Sequence, residues 1–359
     1  MGDYRVFFDA TKTTNGQRFY TFLYRCLAGS SSKYASVVLF NVSASLKDII
    51  LAKMRGRKVV LRVAALYFDS YSPEAAHYST LLQRIFYNSL LYIGVSSTLV
   101  SHAYNFFNRN YGVMLRVILA DYLVHQSHFS KQVMSNYFKK KRSIVIPNGF
   151  PSNLAPRFNR VKTNHFRLLT IYDSKRVSKR IYDVIKFTEF ANCNGFNCTL
   201  TIMGFDNKLC REYPSDFSKL LKSEFVNLLP KYVDLSEDVA QQYRNHDAFI
   251  TFAYRDACPN IVVEAMSFGI PIVALDSGGL IDLIQIKDYL IPFKDSKSFH
   301  VHHRYLHSFP SINFEKVLTM VKSIDKDPDY YSSQISKIFQ DNLEIKVIAR
   351  RYKEYLESI

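Results

Sequence analysis

The chain has 359 residues, 48% hydrophobic and 22% charged, which is material for two globular domains and too apolar for a disordered protein. Its net charge is +16, and nearly all the excess lies in residues 1–150, with 19 Lys+Arg against 6 Asp+Glu. Five cysteines without a Cys-x-x-Cys pair argue against a zinc site or disulfide framework, and no run of about 18 apolar residues is present to cross a membrane.

Along the first half, short β-type runs alternate with helical patterns. Strands are predicted at 4–9, 35–41, 58–64, 121–126 and 143–147. Helices are predicted at 18–28, 45–55, 80–91, 99–108 and 129–138. Residues 148–165 are rich in Asn, Pro, Ser and Arg, show no periodicity and read as a linker. The second half repeats the alternation. Strands are predicted at 166–172, 197–203, 225–229, 247–252 and 271–276. Helices are predicted at 181–192, 236–245 and 261–268, with another starting at 280, and an amphipathic helical tail spans 333–358. Strands alternating with helices imply α/β domains with parallel sheets.

The segment from Asp256 to Ile284 has a mechanical logic of its own. Pro259 suits the opening of a helix, and Asn260 suits a cap. Gly269 suits the left-handed position that ends a helix, and Pro271 prevents continuation. A helix of about two and a half turns therefore sits between two strands, its N-terminus at the sheet edge where open α/β sheets bind ligands. Free N–H groups there can receive a phosphate. Asp256 precedes this helix and Glu264 lies about one turn inside it, so two carboxylates flank the helix start.

That segment resembles the signature of the family-4 retaining glycosyltransferases of GT-B fold. The family motif is an acidic residue, seven positions, a glutamate, then Ala, Gly-x-Pro-Val and a Gly-Gly turn. Asp256 stands where the family usually has Glu, one methylene shorter. Ile144-Val145-Ile146-Pro147-Asn148-Gly149 and Leu200–Gly204 resemble further family segments in the same order.

The resemblance implies two Rossmann-like domains: an acceptor-binding domain at 1–150 and a nucleotide-sugar domain at 151–335. A C-terminal helix at 336–359 is then expected to pack back toward the N-terminal domain. It also implies that Asp256, Glu264 and Lys179 carry the chemistry. Gly16, Lys175, Arg176, Lys179, Arg180, Pro259, Asn260, Ile261, Val262, Glu264, Gly278 and Gly279 are the implied donor contacts. Cations are needed there because the leaving diphosphate gains negative charge as the glycosidic bond breaks. Lys179 aligns with the family lysine, and Lys175 or Arg176 substitutes for its arginine. The family's front-face mechanism uses the departing phosphate to take the proton, so no metal or other cofactor is expected. Asp69, His77, His102, His125 and His128 are candidates near the acceptor.

A basic first half points to an anionic partner. Lys47, Lys53, Arg55, Arg57 and Lys58 beside the apolar face Leu46, Ile49, Ile50 and Met54 suit contact with an anionic leaflet. No basic-then-apolar leader opens the sequence, so a cytoplasmic protein, peripheral on the inner face of the membrane, is expected. The expected reaction is retaining transfer of a sugar to a glycan or lipid-linked acceptor in bacterial surface polysaccharide biosynthesis. The alternatives are a non-catalytic GT-B partner subunit and a basic nucleic-acid-binding protein. Against the latter, no nucleic-acid motif is present. Gly-x-Gly and Gly-x-x-x-x-Gly-Lys are also absent, which removes the dinucleotide and P-loop fingerprints.

Overall fold

The structure, a computed structural model, describes residues 4–7, 18–28, 34–66, 80–139, 141–152, 163–172, 177–204, 217–230, 237–293 and 309–359. They divide into two compact units, one of residues up to 148 with 345–359, the other of residues from 149 to 293 with 310–344.

The first unit runs β1 (Tyr4–Val6), α1 (Arg18–Leu27), β2 (Val37–Asn41), α2 (Leu46–Met54), β3 (Lys58–Val63), α3 (Leu81–Tyr92) and α4 (Ser97–Asn105). One π-helical turn, Phe106–Asn110, leads into α5 (Tyr111–Leu119), followed by β4 (Tyr122–His125), α6 (His128–Ser135) and β5 (Arg142–Val145). The five strands are all parallel, in the order β1-β2-β3-β4-β5. Ser45 caps α2 and Thr80 caps α3, each through a side-chain oxygen that accepts a first-turn N–H. The helix expected to stop at 108 continues through the π turn into α5. Val117 is fully buried, and Arg116 Nε donates to Ala44 O at 2.7 Å, so tertiary contact overrides the break that Asn110 and Gly112 suggest. On α2, Ile49 is buried while Ile50 and Met54 face outward, so the expected single apolar face of that helix is split.

The second unit runs β6 (Phe166–Ile171), α7 (Ile181–Cys193), β7 (Cys198–Met203), α8 (Phe217–Leu220), β8 (Val226–Leu229) and α9 (Glu237–Asn245). It continues through β9 (Ala248–Thr251), α10 (Asn260–Ser267), β10 (Ile272–Leu275), α11 (Leu280–Ile284), β11 (Leu290–Ile291), α12 (Phe314–Lys326) and α13 (Pro328–Asn342). Its six parallel strands lie in the order β11-β10-β9-β6-β7-β8. The chain therefore winds one way from β6 and the other way from β9, and the switch point falls between those two strands. The core beneath it packs Leu168, Leu200 and Ile250 of the sheet against Ile185 and Phe187 of α7 and Val317 and Val321 of α12.

The tail is two helices where one was expected at 336–359. After α13 the chain breaks at Leu343-Glu344, and α14 (Ile345–Glu357) belongs to the first unit. Ile345, Ile348, Ala349, Tyr352 and Leu356 form one buried stripe at helical spacing against Phe19, Tyr20 and Leu23 of α1. Burying each large member of that stripe contributes roughly 1.5–3 kcal/mol.

Candidate active site

The switch point of the second sheet is where the motif residues meet. The backbone N–H of Tyr254, beyond β9, donates to the carbonyl of Ser178, in the turn beyond β6, at 2.8 Å. Next to that stitch, Lys179 Nζ donates to Asp256 Oδ2 at 2.7 Å, with both side chains largely shielded from water. Seventy-seven positions separate these two residues along the chain, and the parallel sheet brings them to the same edge. The other Asp256 oxygen accepts the N–H of Cys258 at 3.1 Å and so fixes the loop that leads into α10.

A second stitch ties the β9 loop to the β10 loop. Arg255 adopts a left-handed backbone, φ 53°, and its N–H donates to Ser277 Oγ at 3.1 Å. Gly279 N–H donates to Asp256 O at 2.8 Å. Gly278, φ 64°, lies against this loop so closely that a Cβ there would collide with the carbonyl oxygen of Asp256 and lie 2.8 Å from its nitrogen. Only glycine supplies both the backbone conformation and the space. Gly278-Gly279 is thus the floor beneath Asp256 and the start of α11.

Helix α10 opens at Asn260 with Pro259 as its cap, and no side-chain cap closes the first turn. This differs from the expected cap at Asn260: the proline stands one position ahead, where its carbonyl accepts from Val262 N–H at 3.0 Å. Glu264 is 4% exposed, and its Oε1 accepts from Tyr243 Oη at 2.8 Å. Tyr243 lies flat on Phe268, ring centroids 4.5 Å apart, so both χ angles of its side chain are locked. Nothing in the motif pointed to Tyr243, because the contact joins α9 to α10 across 21 positions.

Arg180 is placed differently from its expected role as a donor contact. It is 3% exposed, left-handed at φ 55°, and its guanidinium donates to Asp183 Oδ2 at 2.8 Å and to Pro310 O at 2.9 Å. The guanidinium also lies 5.5 Å from the Phe293 ring centre, so it anchors the start of α7. Ile261 and Val262 are buried in α10. Gly16, Lys175 and Arg176 lie outside the described residues, as do Asp69 and His77.

At the strand ends of the first unit, Arg62 is 4% exposed and donates to Asn41 Oδ1 at 3.0 Å and to Asn148 Oδ1, while its guanidinium lies 4.6 Å from the Phe19 ring centre. An arginine inside Val59-Val60-Leu61-Arg62-Val63 breaks an otherwise apolar strand, and that was the signal in the sequence. His125 is buried at the end of β4 with no partner for Nδ1, and burial pushes its pKa down to about 4. His246 in the second unit is buried as well, between Gln242 O and Thr201 Oγ1, and burial lowers its pKa to about 4. Among the described residues no cluster of three His, Cys, Asp or Glu side chains is arranged to hold a metal ion.

Residues 181–307 match the family described as glycosyl transferases group 1. That match lies in the second half of the chain, and the fold is of the GT-B type. An uncharacterized glycosyltransferase of Haemophilus influenzae is 26% identical over 183 residues, and that match spans 50% of this chain and 49% of the relative, about half its length. The fold is similar to Anabaena HepE in complex with UDP, TM-score 0.57 at 16% identity, over 95% of this chain and 82% of that one. HepE also has a structure with UDP and glucose. Sucrose-phosphate synthase from Thermosynechococcus elongatus is similar over 96% of this chain and 80% of its own, TM-score 0.61 at 14% identity. The segment that matches the group 1 family contains Asp256, Glu264 and the Gly278-Gly279 floor, while Lys179 enters from just ahead of it.

Proposed function

We propose that the chain transfers a sugar from a nucleotide-diphosphate donor to a glycan or lipid-linked acceptor, with retention of anomeric configuration, in bacterial surface polysaccharide biosynthesis. The observation that carries this reading is the contact of Lys179 with Asp256 at the switch point, beside the uncapped start of α10. The donor diphosphate lies against that helix start and takes Lys179 as its counter-charge in exchange for Asp256. Asp256, released, accepts from hydroxyls of the sugar. Glu264, held by Tyr243, accepts from the ribose hydroxyls. The acceptor attacks from the face of the departing phosphate, which takes the proton, and Lys179 stabilises the charge that develops on the leaving group. A UDP-linked donor is favoured by the UDP-bound relative HepE. The acceptor lies at the cytoplasmic face of the cell membrane, which the basic first half contacts. No metal or other cofactor takes part in this scheme.

A second reading, a non-catalytic GT-B partner subunit, is favoured by two features: Asp256 in place of Glu, and the commitment of Arg180 to Asp183. Thermal stabilisation by UDP-, GDP-, ADP- and CMP-sugars separates the two, measured on the chain and on Glu264→Ala with NMR of the product anomer. A rise in Tm with one donor, lost in the variant, together with an α-product from an α-donor, supports retaining transfer. No rise with any donor, acceptor present or absent, sinks it.

A further inference from the structure

The charge of the first half comes with a second feature that the sugar chemistry does not use. Glu74 and Asp121 bracket a stretch, Ala75–Ala120, that contains no acidic residue, while Arg84, Arg109 and Arg116 lie within it. Helices α3, α4, the π turn and α5 occupy most of that stretch. Of the sixteen strongly exposed large hydrophobic side chains among the described residues, eleven lie between Leu81 and Ile118. On the outward side of α3, Leu82 is 78% exposed, Phe86 55% and Tyr92 93%. The opposite side of α3, Tyr87 with Leu90 and Leu91, packs on Val100 and Tyr104 of α4. Helix α3 is therefore apolar on both faces, and among the described residues only one of them is covered. Phe107 extends the outward surface onto the π turn at 64% exposed. On α2, which packs beside α5, Ile50 and Met54 face outward near Lys47 and Arg55.

We infer that α3 to α5 form a bilayer-docking surface that inserts its apolar side chains into the headgroup boundary of an anionic membrane. This rests on the reading of the first half as the membrane-facing half, and it moves the insertion from α2 to α3–α5. Three physical reasons select this occupant. A soluble surface rarely concentrates so many exposed large apolar side chains in one stretch of helices. Leucine, isoleucine and aromatic side chains in a basic half of the chain, with no carboxylate among residues 75–120 to repel anionic headgroups, match an interfacial helix surface. A second copy docked face to face would bring the same carboxylate-free stretch, and so no opposite charge, to this basic half of the chain.

The chain has no tryptophan, so one introduced at the surface reports on it alone. The experiment uses the full chain carrying Phe107→Trp, mixed with vesicles of phosphatidylcholine alone or with phosphatidylglycerol. The expected result is flotation with the anionic vesicles, a blue-shifted indole emission and quenching by brominated acyl chains. Leu82→Glu with Phe86→Glu is expected to lower vesicle binding about tenfold or more, with Tm in buffer and donor-induced stabilisation unchanged. Absence of vesicle binding, or binding with an unshifted indole emission, overturns the inference. So does a concentration-dependent dimer that the double variant converts to monomer, which would assign the surface to a second copy. Donor-induced stabilisation is read without vesicles, so its failure strikes the transferase reading and leaves this one standing.

Discussion

The strand-end loops of the two units are built under different constraints. In the second unit, Gly278 is pressed against the Asp256 backbone, and a Cβ on Gly204 would lie 2.8 Å from Tyr172 O. In the first unit, Gly56 and Gly94 also have positive φ but face open space, where they only end α2 and α3. The second unit therefore stitches successive loops together at one sheet edge, and contact dictates residue identity there. Among the described residues, the first unit ties its strand ends through the buried side chain of Arg62, and its helices carry an exposed apolar surface. A loop edge locked by backbone contacts suits a pre-organised small-ligand site, whereas an uncovered helical surface suits a large, adaptable partner.

The largest effect expected from this contrast is on transfer. Lys179→Ala should lower kcat/KM for the donor by about 10²- to 10³-fold, some 3–4 kcal/mol of transition-state stabilisation, read in a coupled nucleotide-release assay. A loss confined to KM, with kcat intact, would instead assign Lys179 to binding alone. Next in size is the response to pH, which reaches both units. His125 and His246 have folded pKa values of about 4, against 6.5 for the free side chain. Both rings are neutral in the fold, while the unfolded chain takes up the proton, so their stabilisation is complete above about pH 6.5 and declines as pH falls toward 4. Each contributes roughly 3 kcal/mol across that window. Denaturant titrations at pH 7 and pH 5 check this, and His125→Gln should flatten the fall; an equal fall in that variant would remove His125 from the account.

Smaller effects sharpen the comparison of glycines. Gly278→Ala should cost about 2–3 kcal/mol, because left-handed strain adds to a backbone clash. Gly94→Ala, with the same strain and open space, should cost only about 1 kcal/mol. Equal losses at the two positions, measured by urea unfolding, would mean that the stitched edge is no tighter than a helix end. Least of all, Phe86→Ser should change stability by no more than about 0.5 kcal/mol in buffer, since its side chain is 55% exposed.

Much of this was legible in the sequence because the signals were local. Periodicity placed β2, β3, α7 and β7 close to their observed bounds, and Ser45 and Thr80 announced the starts of α2 and α3. Helix α12 is absent from the predicted elements, although Val317, Leu318, Val321 and Ile324 repeat at helical spacing after Asn313, which caps it. Helix α5 was less accessible, since its continuity depends on Arg116 reaching Ala44 O, 72 positions away. At the candidate site, the motif gave Asp256, Glu264 and the Gly-Gly turn. The partners Tyr243 and Ser178, and the diversion of Arg180 to Asp183 and Pro310, were not legible, because each depends on an element brought in by the winding of the sheet.

By itself the sequence determined the alternation of strands and helices, the two-domain size, the basic first half and the residue types at the start of α10. These are properties of nearest neighbours and of composition, and they need no knowledge of the fold. The tertiary structure alone decided that Lys179 meets Asp256, that Tyr243 holds Glu264, and that α14 completes the core of the first unit. It alone decided too which of two apolar faces of α3 is buried. Each of those depends on which strand lies beside which, and in a parallel sheet that order is fixed by long crossovers and the packing they bury, not by any short run of residues.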